Sequence, residues 1–166
     1  MLKHKHELEN GRTSAVNVEI MGFKDDVQLT STVRNPIGRW NDIASKAEHS
    51  VTLIDLCGHE KYLKTTLFGL TGLMPDYCLL VVGSNMGVQL MTREHISIAC
   101  ALNIPMFVAV TKTDICPPNI LMQTRKTLAK LLRENGKMPF PVKDEAAVDA
   151  ATESIISNRV TPVFSV

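Results

Sequence analysis

Four short apolar runs rich in β-branched residues recur along this chain with helix-period segments between them: Val51 to Ile54, Cys78 to Val82, Met106 to Val110 and Pro162 to Val166. Runs of this length without polar alternation suit strands buried on both faces. The intervening stretches Tyr62 to Leu73, Leu90 to Leu102 and Pro118 to Leu132 carry helical character. That alternation leaves few architectures open and predicts an α/β fold, a mostly parallel sheet with helices on both faces. The helix ends are legible. Thr92 with Glu94 and His95 supports a start near Leu90, Pro117-Pro118 feeds the first turn of the third helix, and Gly136 lies beyond its end. Leu121, Leu128, Ala129 and Leu132 form an apolar stripe on that third helix, with Arg125, Lys126, Lys130 and Arg133 facing water.

The flanks are less regular. Ala15 to Phe23 alternates weakly, with Val16, Val18 and Ile20 on one face, and reads as an edge strand. Lys24 to Ser50, with Asn35-Pro36 and Gly38, reads as a long excursion with a hairpin tip and a short helix. Lys137 to Ser157 carries Pro139 and Pro141, then an Ala- and Glu-containing segment that suits a short helix. The 166 residues amount to about one domain with a real core. A formal charge of +1 gives no sign of a nucleic-acid arm or a membrane-surface patch. Cys57, Cys78, Cys100 and Cys116 are far apart, with no C-x-x-C pair and no His partner at metal spacing, so they read as reduced residues of an intracellular protein. His4 and His6 have no further ligand at suitable spacing, and the cluster Lys3 to His6 reads as a solvated segment. There is no apolar signal-peptide core, the longest apolar runs are too short to cross a bilayer, and the expected location is cytoplasmic.

Chemistry concentrates at two strand ends. Asp55-Leu56-Cys57-Gly58-His59-Glu60 closes the first run, and Thr111-Lys112-Thr113-Asp114 closes the third. A D-x-x-G turn suits a nucleotide site because its carboxylate can hold a metal-bound water while the glycine lets a backbone N–H approach a terminal phosphate. K-x-D suits the opposite end of the same ligand. Guanine offers N1–H and N2–H as paired donors that a carboxylate such as Asp114 accepts together, and adenine offers no such pair.

In this order and at these strand ends the motifs resemble the GTPase domain of translation elongation factors, and within it the elongation-factor-like family of GTP-binding proteins 1 and 2. The resemblance covers essentially the whole chain. His4 to Glu7 with Gly11 to Ser14 is similar to the first switch, Asp55 to Thr66 to the second, Thr92-Arg93-Glu94-His95 to a helix start shared with elongation factor Tu, and Thr111 to Asp114 to the base-recognition loop. The resemblance implies that Thr13 ligates Mg²⁺ and that Asp55 orients a Mg²⁺-bound water. It implies that Gly58 donates its N–H to the γ-phosphate, His59 positions the attacking water, Thr111 belongs to the base loop, Lys112 stacks along base and ribose, and Asp114 reads guanine. Phosphoryl transfer depends chiefly on positioning and charge neutralisation, which fits such an apparatus.

Three departures stand out. Thr111 replaces the Asn of most elongation factors, and a hydroxyl bonds less than an amide, which implies weaker affinity or a looser loop. Cys57 stands where a small residue or proline is common before the glycine. No G-x-x-x-x-G-K-[ST] occurs, so the loop that cradles the α- and β-phosphates is not in this sequence. The resemblance therefore implies a P-loop-type GTPase domain lacking its first strand and phosphate loop and ending after its last strand. On this reading residues 1–23 are the first switch segment and edge strand, 24–50 a family-specific excursion, and 51–166 run from the second switch to the last strand. The implied ligands are GTP or GDP with Mg²⁺. The implied partners are the ribosome, tRNA or RNA-decay machinery through a longer parent, with no membrane. This chain alone is expected to be inactive, and the competing reading is a non-hydrolysing interaction module that keeps the fold.

Overall fold

The computed structural model describes residues 5–11 and 13–166. The chain divides into two compact units, Met1–Gly72 and Leu73–Val166, each with its own sheet. The first unit runs α1 (Lys5–Asn10), β1 (Asn17–Lys24), β2 (Val27–Gln28), α2 (Pro36–Lys46), β3 (His49–Asp55), a 3₁₀ turn (Glu60–Tyr62) and α3 (Leu63–Leu73). β1 and β3 pair antiparallel from Asn17 opposite Asp55 to Phe23 opposite His49. Asp25 and Asp26, at φ +50° and +59°, turn the chain back so that β2 pairs with the end of β1. Two left-handed residues match the twist of a tight hairpin, and short acidic or amide side chains tolerate that conformation best. β1 is thus the centre of a three-stranded sheet, order β2-β1-β3, where the sequence pattern read an edge. The weak alternation was its only signal, and the two-residue β2 that flanks it is too short to carry any.

α2 is the helix of the excursion. Asn35 caps it by accepting from the Ile37 N–H at 3.1 Å, and Pro36 fills the first turn, where a missing N–H costs nothing. Ile43 is its buried residue. A Cβ on Gly22 of β1 would stand 2.5 Å from Ile43 Cγ2 and 2.9 Å from Ala47 Cβ, so the glycine is what lets helix and strand approach.

The second unit runs β4 (Cys78–Gly83), α4 (Leu90–Ala101), β5 (Met106–Thr111), α5 (Pro118–Glu134), β6 (Met138–Pro141), α6 (Glu145–Ile155) and β7 (Val160–Ser165). Its sheet is parallel throughout, in the order β4-β5-β7-β6. Parallel crossovers are right-handed, so α4 and α5, which step the same way along the sheet, cover one face, and α6, which steps back from β6 to β7, covers the other. The core agrees. Leu80, Val82, Met106, Val108 and Val110 pack with Ile96 and Ala99 of α4 and Leu128, Leu131 and Leu132 of α5, while Ala151 and Ile155 are the buried residues of α6. Three layers result, as the strand and helix alternation predicted. Replacing Leu132, which is fully buried, by Ala would cost about 2–5 kcal/mol.

β6 stands where the sequence pattern gave only prolines. Its even-numbered flanks bond inward, Met138 N–H to Arg159 O at 2.7 Å and Val142 N–H to Val163 O at 2.9 Å. Pro139 and Pro141 therefore place their missing N–H groups on the open edge, the side on which proline is tolerated. Among the described residues no helix is long and apolar enough to cross a membrane.

Candidate functional site

The first unit gathers four of the residues singled out above. Asp55 ends β3 opposite Asn17, and Thr13 lies four residues before Asn17, so antiparallel pairing carries both to one end of the ladder. The chain after Thr13 is held by Glu7, which is fully buried. Its carboxylate accepts from Ser14 N–H at 2.6 Å, Ser14 Oγ–H at 2.7 Å and Ala15 N–H at 3.2 Å. A buried carboxylate with several donors is stable where an unpaired one would be costly. The first-switch motif also takes in His4 and Arg12, which lie outside the described residues, as does the His6 side chain. Among the described residues no three His, Cys, Asp or Glu side chains gather as metal ligands.

Beyond Asp55 the turn is fixed from below and open above. Cys57 is 1% exposed; burial pushes its thiol up, with the negative charges of Asp55 and then Glu7 adding to the effect. It stays a protonated packing residue, in keeping with the sequence reading. Thr66 Oγ1 donates to Cys57 O at 2.6 Å and ties the turn to α3. A Cβ on Gly58 would meet nothing within 4 Å, so packing does not demand glycine there, and an approaching phosphate would find that space free. His59 caps the 3₁₀ turn, its Nδ1 accepting from Lys61 N–H at 3.2 Å. Its ring lies 6.3 Å from that of Tyr62 at 58°. An accepting Nδ1 leaves the proton of neutral imidazole on Nε2.

The second unit carries the base-loop residues. Thr111 ends β5, between β4 and β7, at the carboxyl ends of parallel strands, where open α/β sheets bind ligands. Lys112 follows at φ +60°, and Lys112 and Asp114 are both exposed. Three bonds hold this turn: Ser84 N–H to Thr111 O at 2.9 Å and Thr113 N–H to Val166 O at 3.2 Å, and Ser84 Oγ–H to Lys112 O at 2.8 Å. Thr124 Oγ1 on α5 donates to Ser84 O at 3.2 Å. Sequence reasoning passed over Ser84, Thr124 and Glu7. Thr124 had a signal, a hydroxyl on the apolar stripe between Leu121 and Leu128, and such a residue must find a partner. His95 sits half-buried on α4 with Nε2 unpaired, and burial lowers its pKa against the opposing pull of Glu94.

Thr13, Asp55, Gly58 and His59 thus belong to one compact unit, and Thr111, Lys112 and Asp114 to the other. Residues 1–162 match the family described as the elongation factor Tu GTP binding domain. The chain is similar to GTP-binding protein 1 of Xenopus laevis, with 48% identity covering 100% of this chain and 26% of that protein. It is similar to GTP-binding protein 2 of Mus musculus, with 40% identity covering 99% of this chain and 28% of that protein. The chain therefore spans about a quarter of the length of these relatives. Among solved structures, a bacterial selenocysteine-specific elongation factor shares the fold at TM-score 0.60 and 17% identity, over 98% of this chain and 21% of that one.

Proposed function

This chain belongs to the elongation factor Tu GTP-binding domain family, and from that premise we propose that it supplies the base-recognition loop and both switch segments of a GTP-hydrolysing, translation- or RNA-associated protein. The observation that carries the reading is the exposed Asp114 carboxylate, two residues past the left-handed Lys112 at the carboxyl end of β5. That end of a parallel sheet is where a nucleotide base is met, and a carboxylate accepts guanine's two donors together. Lys112 lays its stem along base and ribose, and the loop of Thr111 sets their direction.

The other half of the reading concerns the phosphates. Thr13 and Asp55 offer a hydroxyl and a carboxylate from one ladder end, a donor set that suits a hard cation such as Mg²⁺. When bound, that ion would neutralise phosphate charge. Gly58 presents its N–H toward the terminal phosphate, and His59 holds the attacking water through Nε2, since Nδ1 is engaged with Lys61. A phosphate-cradling loop is not among these 166 residues, so the proposed turnover is that of the full-length protein. Its partners on this reading are the ribosome, tRNA or RNA-decay machinery.

The base reader can be tested directly. In the full-length protein Asp114→Asn should move preference from guanine toward xanthine by roughly one to two decades, because an amide donates where the carboxylate accepted and a buried mismatch costs about 1–3 kcal/mol. Equal GDP and XDP affinities in wild type and variant would remove Asp114 from the site.

A further inference from the structure

We propose that Ser84 is the positioning residue for base discrimination: its buried hydroxyl fixes the left-handed turn at Lys112 and thereby aims Asp114. The inference rests on the reading of Asp114 given above and extends it to a residue outside the nucleotide motifs.

Lys112 has φ +60°. A residue with a Cβ holds that conformation only where the surroundings enforce it. Two of the three bonds that hold the turn come from one neighbour. Ser84 donates its N–H to Thr111 O at 2.9 Å and its hydroxyl to Lys112 O at 2.8 Å, so both carbonyls flanking the turn point at a single residue on the adjacent strand end. Ser84 is fully buried, and Thr124, 4% exposed, donates its own hydroxyl to Ser84 O at 3.2 Å. The relay Thr124 to Ser84 to Lys112 lies entirely within the second unit and joins α5 to the loop. Neither hydroxyl is free to exchange its partner for water, so each bond is directional and persistent. Asp114 is exposed and two residues beyond the turn. Its side chain can accept two bonds from one base edge only if the backbone before it is fixed, because paired hydrogen bonds demand direction as well as distance.

A purely structural serine and a positioning serine differ in what their loss changes. Losing a structural contact lowers stability and weakens every nucleotide alike. Losing the aim of Asp114 weakens guanine, which offers two donors, more than hypoxanthine, which offers one. The test is the ratio of GDP to IDP affinity in the full-length protein, measured by equilibrium titration with thermal midpoints taken alongside. Ser84→Ala should lower that ratio about threefold to tenfold, the range of one buried hydrogen bond, and Ser84→Thr, which keeps the hydroxyl, should restore most of it. If Ser84→Ala fails to fold, Ser84→Cys replaces it as a side chain of similar shape and weak donor strength, with the same expected loss. Thr124→Val should lower the ratio by a smaller factor. Asp114→Asn is the control. An unchanged ratio in the Ser84 variants, with a changed base preference in Asp114→Asn, overturns the role of Ser84 and leaves Asp114 as reader. An unchanged preference in Asp114→Asn overturns both.

Discussion

On the proposed reading His59 divides its ring between two tasks. Nδ1 is engaged as the cap of the 3₁₀ turn, so only Nε2 remains for a water at the phosphate. That division predicts how substitutions should separate. His59→Ala removes both functions and should lower partner-stimulated GTP hydrolysis by roughly two decades, about 3 kcal/mol of barrier, while leaving GTP affinity within about threefold. His59→Asn keeps a capping acceptor and should restore stability without restoring the stimulated rate. Single-turnover cleavage with and without ribosomes reads the difference, and equal stimulated rates in wild type and Ala variant would exclude the proposed role. His95 makes a separate prediction, about pH. Burial lowers its folded pKa below the usual 6.5, so the unfolded chain takes up a proton first as pH falls. Stability should therefore be full above that unfolded value and decline as pH drops through it toward the lower folded value. The decline should be shallower in His95→Gln, as judged by thermal midpoints across pH 5 to 8, a window set by the usual range of histidine titration. A slope identical to wild type would assign the pH dependence to other groups.

Among the elements, β6 is the one whose sequence argues against it and whose geometry explains why. Pro139 and Pro141 both turn their ring nitrogens to the open edge, while Met138 and Val142 bond inward to Arg159 and Val163. The prolines leave that edge without donors at two positions, a known means of blocking strand addition. Replacing both by Val should change stability little, because no ladder bond is lost, yet it supplies two outward donors. Light scattering should then show greater concentration-dependent association than wild type, and indistinguishable scattering would mean that the edge is protected in some other way. The same residues show what was legible in the sequence. β3, β4, β5 and β7 were readable because β-branched apolar runs mark strands. β3 is nevertheless almost wholly exposed and β4 is buried on one face only, so the expected burial on both faces does not hold for them. α3, α4 and α5 were readable because helical periodicity and end signals are local. β6 was not, since two prolines erase the β-branched signal while the pairing that tolerates them is non-local. β1 was read as an edge for the same reason: its neighbour β2 is two residues long and exists only through the turn at Asp25-Asp26. At the candidate site the motif residues could be singled out because the proposed nucleotide chemistry would fix their types, and their roles rest on that proposal. Glu7 and Ser84 were not, because they act through backbone groups that only folding brings near.

At the scale of the whole chain, two sheets each end on a strand paired on one side: β3 bonds only to β1, and β4 only to β5, among the described residues. The face of β4 turned away from α4 and α5 is also uncovered, with Leu79 51% and Val81 60% exposed. Burying two such side chains contributes about 1.5–3 kcal/mol each when they are fully covered, so these 166 residues by themselves forgo stabilisation that their own sequence is suited to. The same comparison applies to the ligand. Hydrogen bonds to charged groups contribute roughly 1.5–3 kcal/mol each, and a phosphate-cradling loop with its lysine supplies about five of them. Their absence removes on the order of 8–15 kcal/mol, which is comparable to the whole of a nanomolar affinity at about 12 kcal/mol. The base loop as proposed, however well Ser84 holds it, would offer one bidentate contact and a stacking stem, far short of that sum. The isolated polypeptide of 166 residues should therefore bind neither GTP nor GDP more tightly than about millimolar, as measured by titration calorimetry on material whose folding is checked by circular dichroism. A micromolar constant with GTP preferred over ATP would mean that the phosphates are held by groups in these two units that are not a glycine-rich loop, and the division of labour proposed between this chain and the full-length protein would have to be abandoned.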